Sequence, residues 1–425
     1  MDSAAFAVPG LRWGSHPERR EPEARARLAV LAAALRDAVT TSAPFQRRRL
    51  QAFVAAVRAA APAVTPDALR GVRLALQQGG LTDATIAPAF ALIGRTLETS
   101  RGTTPYDGQL IAARHVLDNR LAEMATGEGK TLTVALAASC AALAGIPVHV
   151  VTANDYLAAR DAEALREVAA ALGLSVGCIT EATDPAARRS AYACNITYCT
   201  AKELVFDYLR DGHQSGRQAG LQQRVAALSD GARPARLLRG LCLAIIDEAD
   251  SILVDEARVP LILSAPSASV APGFWSEALA LAAPLQTPAD YRLEPAARSV
   301  SLTPAGAARV AAASRSLSAA WQHRLHREDT VRLALAALHL YRVERDYLIR
   351  DGALALIDQT TGRVSPGRAW SRGLHQLVEL KEGLAPTQPT VTVAQISYQR
   401  YFARYHRLGG LSGTLREARG ELRAV

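Results

Sequence analysis

Met124-Ala125-Thr126-Gly127-Glu128-Gly129-Lys130-Thr131 reads as a loop whose backbone wraps the phosphates of a nucleotide. Gly127 and Gly129 let the main chain turn tightly and approach phosphate oxygens, Lys130 supplies a compact positive charge, and the Thr131 hydroxyl can hold Mg2+. The residues that follow, Thr131 to Ala144, form an Ala- and Leu-rich helical run closed by Gly145. Such a helix directs its first amides and the positive end of its dipole at the phosphates. Met124 stands where the general phosphate-loop pattern carries a glycine, which narrows the class to the Thr-Gly-x-Gly-Lys-Thr form of helicase-like motors. The stretch therefore predicts an ATP and Mg2+ site contacted by Thr126, Gly127, Glu128, Gly129, Lys130 and Thr131.

Lysine is otherwise scarce. Of 49 Lys plus Arg, only Lys130, Lys202 and Lys381 are lysines, so a chain that uses arginine almost everywhere keeps a point charge at this loop. The 425 residues allow two or three domains with a sizeable core, and 49% hydrophobic with 21% charged residues is ordinary for a globular protein. A net charge of +9 favours acidic partners, nucleic acid or anionic lipid, without choosing between them. The five cysteines form no C-x-x-C pair and sit mostly in apolar runs, which reads as reduced core thiols and argues against a metal site. No basic flank precedes an apolar stretch at the N-terminus, so no signal peptide is expected. Thr131 to Ala153 lacks charge over a length that could span a membrane, but Gly145 and Pro147 break it into a buried helix and a buried strand.

Residues 1–100 are rich in Ala, Arg and Leu at helical spacing, as in Gln46 to Ala61, where Phe53, Val54 and Val57 share a stripe. From Gln109 onward, helices alternate with short apolar runs at Val148–Thr152, Leu174–Ile179, Ile196–Cys199 and Leu241–Ile246. That alternation predicts a parallel sheet wound by right-handed crossovers. After Ser264 the texture changes to an Ala/Pro/Ser-rich stretch, which marks a domain boundary. Beyond it a helical segment is expected over Ala319 to Glu344, then a hairpin turning at Asp351-Gly352.

The run Leu241 to Asp250 is an apolar strand ending in carboxylates. Ligands of open α/β sheets gather at the carboxyl ends of strands, where Asp247 and Glu248 would lie. Asp247 can hold Mg2+, directly or through water, and Glu248 can orient the water that attacks the γ-phosphate. An acidic helix cap after a strand would produce the same letters.

Several longer stretches together resemble SecA, the motor ATPase family of bacterial preprotein translocation. They include Tyr106 to Gln109, Met124 to Thr131, Val148 to Glu163 with its Asn154-Asp155-Tyr156-Leu157, Ile196 to Asp211, and Ile246 to Arg258 with its Asp255-Glu256-Ala257-Arg258. Thr361 to Gly383 and Gly409 to Thr414 complete the resemblance. It implies an α/β fold: a RecA-like P-loop domain over residues 101–265, completed by 376–425, with an N-terminal helical region before it. A smaller α+β preprotein-binding domain over 266–375 would be inserted between. It also implies that Gln109 reads the adenine edge, that Lys130, Asp247 and Glu248 are catalytic, and that Thr131 and Asp247 hold Mg2+. Ser412 and Thr414 would sense the γ-phosphate or couple domains, unless they form an ordinary turn.

Partners implied are the SecYEG channel, unfolded preproteins, acidic phospholipids, and a second copy or a separate second motor domain, with nucleic acid not expected. The implied location is the cytoplasm, peripheral to the inner face of the plasma membrane. The family carries a second RecA-like domain after the Gly-Thr motif, and none follows here, so weak ATPase from this chain alone is expected. Two other readings remain open: a DEAD-type RNA or DNA helicase fragment, and a non-catalytic nucleotide- or preprotein-binding module.

Overall fold

In a computed structural model, the described residues are 16–19, 43–60, 63–214, 236–257, 260–266, 273–295, 297–350, 352–357, 364–365, 369–388, 390–418 and 421. Strands in chain order are β1 (Leu121–Glu123), β2 (Val148–Thr152), β3 (Val176–Cys178), β4 (Ile196–Thr200), β5 (Leu243–Asp247), β6 (Leu261–Pro266), β7 (Tyr291–Glu294) and β8 (Ser299–Leu302). They continue with β9 (Tyr347–Arg350), β10 (Ala353–Ile357), β11 (Val364–Ser365), β12 (Thr390–Ile396) and β13 (Arg407–Ser412).

The chain forms two compact units, residues 1–263 with 394–425, and residues 264–393. The first is built on a six-stranded sheet in the order β1-β13-β5-β2-β4-β3. All of its pairings are parallel. Parallel sheets need both faces covered, so their strands are apolar throughout. β2 and β4 obey this, with all five residues of each buried. The apolar run read from sequence at 174–179 contains the shorter strand β3, and the run at 241–246 overlaps β5, which starts two residues later and ends one residue later, at Asp247. This is the α/β, RecA-like architecture, helices wound on both faces of a parallel sheet.

One face is covered by the helix Lys130–Leu143, in which every residue from Thr133 to Leu143 is buried. A helix apolar all round belongs in a core, and it explains the uncharged stretch noted above. Among the described residues no helix is long and apolar enough to cross a membrane. The helices Ala43–Ala59, Pro66–Gly79 and Asp83–Arg101 do not form a separate N-terminal body. Phe53, Val57, Leu76, Phe90 and Ile93 share one core with Leu136, Val150 and Ile245. Their burial requires a partner surface, and the helix layer of the sheet supplies it. Arg114, 3% exposed, ties this layer electrostatically by pairing with Asp83 at 2.7 Å.

On the other face Tyr192, Tyr208, Tyr401, Phe402 and Tyr405 make an aromatic core. His149 of β2 lies within it, 4% exposed, with Nδ1 2.7 Å from the Tyr405 hydroxyl. Burial, then the nearby Arg239, push this imidazole down to about 3. The folded state thus keeps His149 neutral, while the unfolded chain protonates it below its ordinary value of about 6.5. The resulting stabilisation is complete above pH 6.5 and is lost as pH falls toward 3, by about 1.4 kcal/mol per pH unit. Thermal melts at pH 7, 6 and 5 should show a shallower decline for His149→Gln than for wild type. Superimposable slopes would refute this assignment.

The second unit has its own core, in which Phe274 stacks on Trp321 at 4.7 Å and packs with Val331, Leu335 and Tyr347. β9 and β10 pair antiparallel about the turn containing Gly352, and β7 pairs with β8. The helical segment read over 319–344 divides into a short 3-10 turn, Ala319–Trp321, and the helix Arg324–His339. Trp321, fully buried with Nε1 donating to Glu277 at 2.7 Å, anchors the break. This unit runs to Val393 rather than closing near 375. The helix Leu374–Lys381 belongs to it because Leu374, Leu377 and Val378 fill the same core.

Candidate nucleotide site

The sheet brings the two sequence motifs to its carboxyl edge. β1 leads into the glycine loop and β5 ends at Asp247, with β13 between them. The loop is tied to β13 where the Met124 amide donates to the Ser412 carbonyl at 2.9 Å. Gly127 and Gly129 both adopt left-handed backbone, φ +90° and +84°. At Gly129 a Cβ would come within 2.2 Å of Gln109 Nε2, so the residue is required to be glycine by conformation and by space. Gly129 also caps the helix Lys130–Leu143 without a side-chain hydrogen bond. The first amides of that helix are thereby left for an anion.

Lys130 reaches across to β13, because a Cβ on Gly413 would lie 3.3 Å from its Nζ. Glycine after Ser412 thus leaves the ammonium in place without displacement. On the far side of β13, Asp247 is half-buried and its Oδ1 is buried with no hydrogen-bond partner. Burial, then the adjacent Glu248, push its carboxyl up to about 6, with Lys130 pulling the other way. A buried oxygen without a partner is costly, and a divalent cation is the group that would relieve it. Among the described residues no three His, Cys, Asp or Glu side chains converge to bind a metal unaided. This donor set fits Mg2+, which is usually held by one or two carboxylates together with nucleotide phosphates and water.

Glu248 is exposed and adopts φ +62°. A non-glycine residue there costs about 1 kcal/mol, a strain found preferentially at functional sites. Glu248→Gly is expected to raise unfolding free energy in urea by about 1 kcal/mol, because the exposed side chain contributes little packing. A less stable glycine variant would rule out strain as the reason.

Gln109 comes to the loop, but its amide is already engaged. Oε1 accepts from the Tyr106 amide at 3.0 Å, and Nε2 donates to the Glu128 carbonyl at 2.8 Å. Glu128 in turn closes the loop on itself, its carboxylate accepting from the Ala125 amide at 2.8 Å. Beside them a cleft of about 550 Å³ is lined by Tyr106, Gln109, Ala112, His115, Met124 and Glu128, among others. Thr126 is exposed at the loop tip and Thr131 half-buried in the first helical turn.

Asp250 is the site residue that sequence reading did not single out. The Thr414 hydroxyl donates to its carboxylate, and the Thr414 amide donates to Ser412 Oγ at 3.0 Å. Burial raises the Asp250 carboxyl, but the bonds from Thr414 and Ser412 outweigh it and leave it below the ordinary value. The Ser-Gly-Thr turn is therefore joined to the acidic strand end. Its sequence signal was present in both motifs, but their pairing across 164 residues is a property of the sheet order alone. Of the Asp255 to Arg258 segment, Arg258 lies outside the described residues.

The SecA DEAD-like domain family matches residues 34–423. Protein translocase subunit SecA 2 of Bordetella avium is 45% identical over 357 residues, which cover 83% of this chain and 54% of the relative. Subunit SecA 3 of Magnetococcus marinus is 46% identical over 368 residues, 85% of this chain and 56% of the relative. Subunit SecA 2 of Nitrosospira multiformis is 39% identical over 433 residues, 99% of this chain and 65% of the relative. The chain spans between half and two thirds of the length of these curated relatives. With a parallel sheet that joins a glycine loop to an acidic strand end, and a family match across nearly its whole length, the chain belongs to the SecA family.

Proposed function

We propose that this chain is part of a SecA-type protein translocase motor that binds ATP with Mg2+ and couples it to preprotein export. The observation that carries the reading is the apposition of Lys130, at the start of a buried helix, with the unpartnered Asp247 oxygen two strands away. Amides of Thr126 to Thr131 would surround the phosphates, Lys130 would neutralise them, and Thr131 and Asp247 would hold Mg2+. The cation would screen phosphate charge; Glu248 would orient the attacking water from the exposed side.

Adenine would enter the cleft beside Tyr106, which is 77% exposed and available to cover a base. Gln109 would read its edge by giving up one of two present hydrogen bonds, so base recognition and loop shape are linked. By the family relationship we further propose that SecYEG, unfolded preproteins and acidic phospholipids are partners, that the second unit engages the preprotein, and that the protein works from the cytoplasm at the inner membrane face.

Calorimetric titration with MgATP tests the site: a saturable signal is expected, and its absence at millimolar nucleotide would remove the proposal's basis. Hydrolysis by this 425-residue polypeptide alone should be slow, since an arginine finger from a second domain contributes about 10³ to 10⁵ in rate. Adding a separately expressed second RecA-like domain should stimulate turnover. Robust steady-state ATPase from the isolated polypeptide would contradict the need for that domain.

A further inference from the structure

The segment after Glu248 does not continue as an ordinary helix. The Ile252 amide reaches the Glu248 carbonyl only at 3.4 Å. Ser251–Asp255 is then a π turn, closed by the Glu256 amide on the Ser251 carbonyl at 3.0 Å, five residues back. A π turn carries one residue more than an α turn, and such insertions deprive main-chain carbonyls of their regular partners. Leu253 lies in the last turn before the C-cap Glu256, where carbonyls lack intrahelical partners, and Gln399 Nε2, from 146 residues later, donates to its carbonyl at 3.2 Å.

Gln399 is half-buried on the helix Tyr398–Phe402, directly ahead of β13. β13 ends at Ser412, and the next turn delivers Thr414 to Asp250. The same returning segment therefore grips the acidic stretch twice, at Asp250 and at Leu253. Ile252 and Leu253 are 3% and 5% exposed, packed with Ile396, Tyr398 and Tyr401. Their side chains are anchored. The freedom that remains is the choice between π and α backbone, and a donor at Leu253 favours π.

We propose that Gln399 is a positioning residue for the Mg2+–nucleotide complex: by supplying the hydrogen bond to Leu253 it maintains the π turn, and so sets where Asp250 presents its carboxylate beside Asp247. The inference rests on the nucleotide reading of the site. Gln399 meets the acidic stretch at the turn, through its bond to the Leu253 carbonyl. With Ile252 and Leu253 held in the core, relaxation to α geometry, about 100° per residue, would be taken up at the start of the turn and would shift Asp250 relative to Thr414.

The test compares the full chain with Gln399→Met, of similar length without a donor, and Gln399→Glu, of similar shape with oxygen in place of Nε2. ATP affinity is measured by calorimetry in EDTA and again in Mg2+, with amide hydrogen exchange over 251–256. Affinity in EDTA should agree within about twofold across all three proteins, whereas the tightening produced by Mg2+ should fall about fivefold in both variants, with exchange about fivefold faster, as expected for loss of one hydrogen bond worth about 1 kcal/mol. Equal tightening by Mg2+ in the variants would overturn the inference and leave the ATP site standing. A parallel loss of both affinities would reduce Gln399 to packing and overturn it as well. Wild type without saturable ATP binding would remove both readings together. Should Gln399→Met fail to fold, Gln399→Glu, which keeps size and polarity, carries the comparison.

Discussion

Lys130→Ala should lose nucleotide binding while keeping the fold. Its ammonium is the one lysine at the loop, and it stands across β13 from Asp247, beside Gly413 at the end of that strand. Charge-assisted bonds to phosphate contribute about 1.5–3 kcal/mol each, so the dissociation constant for MgATP should rise about ten- to a hundredfold. The stability cost should be small, because Lys130 makes no ion pair among the described residues and sits at the first helical position, where alanine is well tolerated. Lys130 also lowers the Asp247 carboxyl, so its removal should strengthen proton binding there. Calorimetry with matched thermal melts distinguishes the outcomes: unchanged affinity in a folded variant would place the phosphates elsewhere.

Glu248→Gln should separate binding from chemistry. The side chain is exposed beside the strand end, in a position to act on a water rather than to brace the core. A carboxamide keeps the shape and loses the base, and loss of general-base assistance typically costs about 10²- to 10⁴-fold in rate. Because Glu248 helps push the Asp247 carboxyl up, its neutralisation should ease deprotonation of Asp247, so MgATP affinity should hold or improve. Single-turnover hydrolysis of radiolabelled ATP gives the measurement. A rate equal to wild type would transfer the role of base to another group.

These expectations differ in how they arose. Lys130, Thr131, Asp247 and Glu248 were legible because each motif is local: glycine spacing dictates a turn, and an apolar run ending in acids dictates a strand end. Gln109 was legible as a neighbour of the loop, but not as a residue whose amide is already shared between Tyr106 and Glu128. The place of the helix Leu374–Lys381 in the second unit was hidden, because an amphipathic stripe states that a face is buried without naming the surface that buries it.

Residue order by itself determined the α/β class, the glycine loop and its following helix, and the acidic strand end, since turn conformation, helical period and charge act within about ten residues of one another. Only the folded chain decided that β13 lies between the loop strand and the acidic strand, that Thr414 meets Asp250, and that Gln399 completes the π turn at Leu253. Those contacts join segments more than a hundred residues apart, and they form because a parallel sheet buried on both faces admits the returning strand where its glycines and apolar residues fit.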